Sequence, residues 1–189
     1  EIHRTLVVNH DFDTRYSTSP ALIMNHDALT IKGIACSSLM QVLAPQTALF
    51  RENAAFLINE AQFFDDVVEW SKAAVSPPHN KTVYLAGLDG DFQREPFGIW
   101  LSLIPFADNV EKLTSVCALC KKSKALFTWR TSKDKSQVLV SDNCHIPVCR
   151  VCYDLESEKE FGEAIDNLPR GIDSYMSCID PIRESTKPT

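Results

Sequence analysis

The sequence predicts an α/β protein with a mostly parallel sheet, joined to a small β module built around a metal. Two observations carry this expectation. Short apolar runs alternate with helical patterns through the first 110 residues or so, which is how successive β-α units look in sequence. Beyond that point helical periodicity gives way to short β-like pieces between two C-x2-C pairs.

In chain order, Thr5 to Val8 is an apolar, β-branched run expected as the first strand. It stands almost at the start of the sequence, so the chain reads as a piece cut from a longer protein. A polar stretch from His10 to His26 precedes an expected short strand at Leu29 to Ile34. A helix candidate covers Ser37 to Ala54, with Pro45 interrupting it because proline removes a backbone donor. Ala55 to Ile58 is expected as a second buried strand, Phe64 to Ala74 as a helix closed by Ser76-Pro77-Pro78-His79, and Thr82 to Leu88 as a third strand. The sheet is expected to be sandwiched, with Asn59-Glu60 and Asp89-Gly90 at the carboxyl edge, where open α/β sheets collect ligands. Asp-Gly is also an ordinary turn pair; the polar group after the apolar strand at Ile58 is the stronger candidate.

From Lys112 the β pieces are Leu113 to Val116, Ala125 to Arg130 and Gln137 to Val140, and helical periodicity returns at Glu156. The predicted division is 1–113 for the core, 114–155 for the metal module, and 156–189 for an acidic helix with a flexible end. The tail from Asp154 holds nine acids against four bases.

Seven cysteines in a chain that reads as intracellular favour metal over disulfides. Cys117 and Cys120 form one C-x2-C pair and Cys149 and Cys152 the other, separated by 28 residues. Each pair places two thiolates on one tight turn, and two turns together supply four soft ligands at roughly 2.3 Å from a tetrahedral zinc. Four thiolates leave no position for water, so the zinc is structural. Cys36, Cys144 and Cys178 read as buried or free thiols, and His145 is a dispensable fifth donor.

The net charge of −6 is uneven: Lys112 to Lys135 holds seven basic residues against one acid, leaving −12 for the remainder. Lys121, Lys122, Lys124, Trp129 and Arg130 could track a nucleic-acid backbone, but in an acidic chain a solvated turn or a phosphorylated ligand is the better expectation. No apolar run approaches the ~20 residues of a membrane span. The first residues lack a secretory signal pattern, so a cytoplasmic location is expected.

Four blocks stand in order: Asp13-Thr14-Arg15-Tyr16-Ser17, Glu60-Ala61-Gln62-Phe63-Phe64, Leu88 through Gly98, and the paired C-x2-C. Together, from about Thr5 to Tyr153, they resemble the cellular-type (type II) thymidine kinases. The resemblance implies a P-loop-NTPase-like (RecA-like) core, here without its first strand, and a zinc-held lasso that closes over the nucleoside. It implies transfer of the γ-phosphate of Mg-ATP to the 5′-hydroxyl of thymidine, in pyrimidine salvage. By the same resemblance Glu60 is the general base, Arg15 and Asp13 lie on the phosphate side, and Gln62 is a polar fixing group. Phe63, Leu88, Phe92, Phe97 and Thr128 line the pyrimidine slot. Phosphoryl transfer asks for just such positioning, charge neutralisation and a proton-accepting carboxylate.

Three departures accompany the resemblance. No G-x-x-x-x-G-K-[ST] run occurs in the 189 residues. Asn59 stands where the family carries an aspartate serving Mg²⁺, and Ser141-Asp142-Asn143-Cys144-His145-Ile146 replaces a Gly-Gly-Ala-Asp-Lys-Tyr run that grips the base. The expectation is therefore a degenerate thymidine-kinase-like domain. It would act as a homo-oligomer or beside a tandem or separate partner that holds a complete kinase domain. The alternatives are an active kinase whose amino-terminal segment is missing, and a non-enzymatic zinc-stabilised subunit.

Overall fold

The computed structural model describes residues 4–12, 22–24, 30–139 and 144–166, with side chains described except at 22–24, 30 and 161–166. Residues Glu1–Cys149 form one compact unit and Arg150–Thr189 a second.

In the first unit β1 (Thr5–His10) is followed by the short antiparallel pair β2 (Leu22–Met24) and β3 (Thr30–Lys32), then β4 (Ile34–Cys36). Two brief helices come next, α1 (Leu39–Val42) and α2 (Ala48–Glu52), then β5 (Ala55–Ile58), α3 (Val67–Val75) and β6 (Thr82–Leu85). The sheet runs β4-β1-β5-β6 and every pairing is parallel, with Val8 opposite both Ile34 and Ile58, and Ile58 opposite Leu85. The expected strand at 29–34 is thus two strands serving different sheets, divided at Gly33. Pro45 does divide the helical stretch, and each half is capped by a hydroxyl: Ser38 accepts from the Gln41 N–H at 3.2 Å, and Thr47 from the Phe50 N–H at 3.2 Å.

Val8, Phe56 and Ile58 from the sheet pack with Leu39, Leu43, Phe50, Val67, Trp70 and Ala74. Trp70 is fully buried because its indole N–H finds the Leu43 carbonyl at 2.8 Å. The expected sandwich is replaced, among the described residues, by helices on one face of the sheet. Consequently β5 alternates, Phe56 and Ile58 buried but Leu57 37% exposed, and Tyr84 on β6 is 60% exposed.

The ribbon is built from two small antiparallel pairs. One joins β7 (Ser115–Val116) to β8 (Lys124–Ala125), the other β9 (Phe127–Arg130) to β10 (His145–Val148). The partner of β9 is His145–Val148, a strand the sequence did not suggest, while the described residues of the expected piece Gln137 to Val140 form no strand. Pro147 and the mixed composition hide β10 in sequence, whereas the register Ile146 with Trp129 and Val148 with Phe127 fixes it in space.

In the second unit α4 (Arg150–Asp166) begins six residues before the expected Glu156. Val151 and Leu155, exposed on it, alternate with buried Tyr153 at a spacing of two, so the segment imitates a strand in sequence. The tail beyond 166, with its expected flexible end and Cys178, lies outside the described residues. Among the described residues, no helix is long and apolar enough to cross a membrane.

Candidate functional site

The carboxyl ends of β1 and β5 lie side by side, which puts Asn9 next to Asn59; the Asn59 Nδ2 donates to Asn9 Oδ1 at 2.9 Å. One residue on, Glu60 takes a left-handed conformation (φ 54°, ψ 43°) as the chain turns from β5 into the 3-10 turn Ala61–Phe63. For a residue with a Cβ this conformation costs about 1 kcal/mol or more, and such outliers persist where surrounding contacts enforce them. Here the Ala61 N–H donates to the Ala86 carbonyl at 2.9 Å, beyond the end of β6.

Gln62 is 5% exposed and spans two of these elements. Its Nε2 donates to Glu60 Oε2 at 2.5 Å, and its Oε1 accepts the Leu88 N–H at 3.1 Å. Leu88 is fixed from its other side as well, where its carbonyl receives the Trp100 indole N–H at 3.0 Å.

The loop after Leu88 folds around Asp91. Its Oδ1 accepts the N–H groups of Gln93 (2.8 Å) and Glu95 (3.0 Å), and its Oδ2 accepts Gln137 Nε2 at 2.9 Å. The loop is thereby tied to the segment between β9 and β10. A second tie is Arg130, 4% exposed, whose guanidinium lies 3.8 Å from the centre of the Phe92 ring. Arg130 donates to the carbonyls of Asp134 (3.2 Å), Ser136 and Gln137 (3.1 Å), and its Nε donates to His145 Nε2 at 3.0 Å. A histidine that accepts at Nε2 carries its proton on Nδ1. The nearby Asp134 carboxyl is held below its ordinary range by the Ser136 hydroxyl and N–H, with Arg130 adding to the effect.

Between these elements lies a cavity of about 430 Å³. Glu60, Gln62, Phe63, Leu88, Phe92, Phe97 and Thr128 all line it, so seven positions scattered from 60 to 128 in sequence share one wall system. Phe63 is held edge-on between Phe12 and Phe97, at 5.9 and 5.5 Å between ring centres. Arg130, Gln137, His145 and Ile146 complete the ribbon side. Arg15, Asp13 and Ser141 to Asn143 lie outside the described residues. Asp89, at the expected working edge, is paired with Lys112.

The sulfur atoms of Cys117, Cys120, Cys149 and Cys152 all lie within 4.8 Å of one another, and Cys120 to Cys149 is 3.9 Å. Burial pushes the Cys117 thiol up, but the N–H groups of Cys120, Cys149 and Leu119 outweigh it and bring the thiol down to about 6. Cys120 is lowered by the N–H groups of Lys122 and Ser123. Knuckles that turn several N–H groups onto sulfur stabilise thiolate, the form that ligates metal. Four cysteine sulfurs this close together can hold a metal ion.

The thymidine kinase family model matches residues 2–153. The chain belongs to the thymidine kinase family. It is 36% identical to the cytosolic thymidine kinase of Homo sapiens over 95% of this chain and 69% of that protein. Against the cytosolic thymidine kinase of Gallus gallus it is 36% identical over 90% of this chain and 73% of the relative. The thymidine kinase of Mycoplasma mobile is 34% identical over 87% of this chain and 78% of its own length.

Sequence reasoning found the family's motif residues but missed the ties between them. Asp91 was legible in principle, since an aspartate followed by polar turn residues commonly gathers the next N–H groups. Arg130 gave no local signal: its acceptors are carbonyls four to seven residues ahead, and only the fold of that segment turns them inward.

Proposed function

We propose that this thymidine kinase family chain carries the acceptor side of the family reaction, binding a thymidine-like pyrimidine nucleoside in the cavity beside Glu60. The observation that carries this reading is the convergence of Glu60, Gln62, Phe63, Leu88, Phe92, Phe97 and Thr128 on one cavity of about 430 Å³. That volume lies within the ~300–1,000 Å³ usual for small-molecule sites. Phe63, Leu88, Phe92, Phe97 and Thr128 form the slot for the flat base, and the Glu60 carboxylate accepts a hydrogen bond from the 5′-hydroxyl, the position of a general base. Arg15 and Asp13 serve the phosphate side.

The donor side is degenerate in these 189 residues. They contain no phosphate-loop motif, and Asn59, a neutral amide bonded to the neutral Asn9, is a poor partner for a hard dication. The residues present do not fit Mg-ATP. The four cysteines do fit zinc, which would tie the two C-x2-C turns of the 114–155 ribbon together without taking part in the chemistry; residues 1–113 form the proposed P-loop-NTPase-like core. The exposed Leu57 and Tyr84 on the sheet favour association with a second copy or with a complete kinase domain. The relatives named cytosolic make the cytoplasm the proposed location.

Titration calorimetry with thymidine and with Mg-ATP separately, together with zinc counting, tests this reading. Thymidine is expected to bind, Mg-ATP is not, and one zinc is expected per chain, lost in Cys117→Ser. Failure to bind thymidine would overturn the acceptor-site assignment. Tight magnesium-dependent capture of ATP would overturn the degenerate donor side, as would thymidine phosphorylation by the chain alone.

A further inference from the structure

We infer that Gln62 is a positioning residue, its side-chain amide setting the carboxylate of Glu60, and that Gly87 and Gly98 are the two supports that hold this amide in place. The inference rests on the acceptor-site reading above and deepens it, because it assigns the control of the proposed base to a residue and two glycines outside the reacting atoms.

The amide's orientation is dictated chemically. The Leu88 N–H can only donate, so the atom it meets at 3.1 Å must be the amide oxygen. The NH₂ end is then turned to Glu60 Oε2, at 2.5 Å, and gives an N–H to an oxygen that bears charge. The residue is 5% exposed, and a flipped amide would set oxygen against carboxylate and nitrogen against the Leu88 N–H. The backbone leaves little room to move. A Cβ on Gly87 would stand 2.5 Å from Gln62 Oε1, and one on Gly98 would stand 2.3 Å from the Gln62 carbonyl oxygen. Gly98 also has φ +69°, a conformation glycine adopts without strain. Glu60 itself is in a left-handed corner at the end of β5, so its side chain needs an external brace if one carboxylate oxygen is to keep a fixed direction.

The test has two arms on the full chain. In proton–nitrogen NMR, the Gln62 side chain is expected to show one amide proton shifted well downfield of its twin and slow to exchange. That signature should collapse in Glu60→Gln and move in Gly87→Ala. Two amide protons at free positions, indifferent to Glu60→Gln, would overturn the inference. In calorimetry, thymidine is compared with 5′-deoxythymidine, which lacks the hydroxyl that Glu60 serves. The wild-type preference for thymidine over 5′-deoxythymidine is expected to fall about tenfold in Gln62→Met, the loss of one charge-assisted hydrogen bond. An equal loss for both nucleosides would indicate a packing role and refute positioning. If the wild-type chain binds neither nucleoside, the functional reading falls, and the amide signature alone decides whether the brace exists.

Discussion

Replacing Gly98 with alanine puts a single methyl group where fold and site meet, and its effect can be worked from local geometry. At φ +69° an L-residue costs about 1–2 kcal/mol more than glycine. The added Cβ would meet the Gln62 carbonyl oxygen at 2.3 Å, the carbonyl carbon at 3.0 Å and the Cα at 3.1 Å. All three are backbone atoms of a turn already held by the Phe63 N–H on the Glu60 carbonyl and the Leu88 N–H on Gln62, so relief requires the turn to shift. Overpacking of this kind costs roughly 1–3 kcal/mol, which makes the expected loss about 2–5 kcal/mol. For a chain of this size that is a fall in Tm of about 4–20 °C. Gly90→Ala is the control, because its Cβ would lie 3.6 Å from the nearest atom and its φ is not left-handed; it should cost under about 1 kcal/mol. Gly87→Ala falls between them, since the atom it strikes is a side-chain oxygen, though a pinned one. The assay is urea unfolding followed by near-ultraviolet circular dichroism, with all three variants measured against the parent. Equal midpoints for Gly98→Ala and Gly90→Ala would refute the reasoning, because they differ only in the features just named.

Two further outcomes are expected. Arg130→Met should lower stability by about 3 kcal/mol or more, measured by urea midpoint, because the carbonyls of Asp134, Ser136 and Gln137 lose a charged donor together and Phe92 loses its cation; a change under about 1 kcal/mol would mean that these contacts are replaced by water at no cost. His10, buried and accepting the Phe12 N–H on Nδ1 at 3.1 Å, has its pKa lowered from 6.5 chiefly by burial, against the opposing pull of Asp11, Asp65 and Asp66. A base depressed in the fold is protonated first in the unfolded chain, so its stability contribution is complete above pH 6.5 and is lost as pH falls from 6.5 toward the folded value. The gap in Tm between the parent and His10→Gln should accordingly be constant above neutrality and shift against the parent in that acid window. Parallel Tm curves from pH 7.5 to 5 would refute it.

The sequence alone determined β5 and the break at Pro45, because a short, wholly apolar run and a missing N–H act locally. It determined the paired cysteine knuckles too, since their ligand spacing depends on one turn of chain. It named the cavity residues through resemblance, without any means of seeing that they meet. What tertiary structure decided was nonlocal: among the described residues, the packing of the helices against the Val8, Phe56 and Ile58 face of the sheet, with Tyr84 exposed; the pairing of β9 with His145–Val148; the helix that starts at Arg150 behind an alternating pattern. It also decided the hydrogen-bond partners inside the site. Gln62 read as a group for the ligand, and the structure adds that its amide also joins Glu60 to Leu88, since a buried amide takes the partners the fold brings within about 3 Å. Those neighbours follow different strands, Glu60 after β5 and Leu88 after β6, and only the packed sheet brings them together.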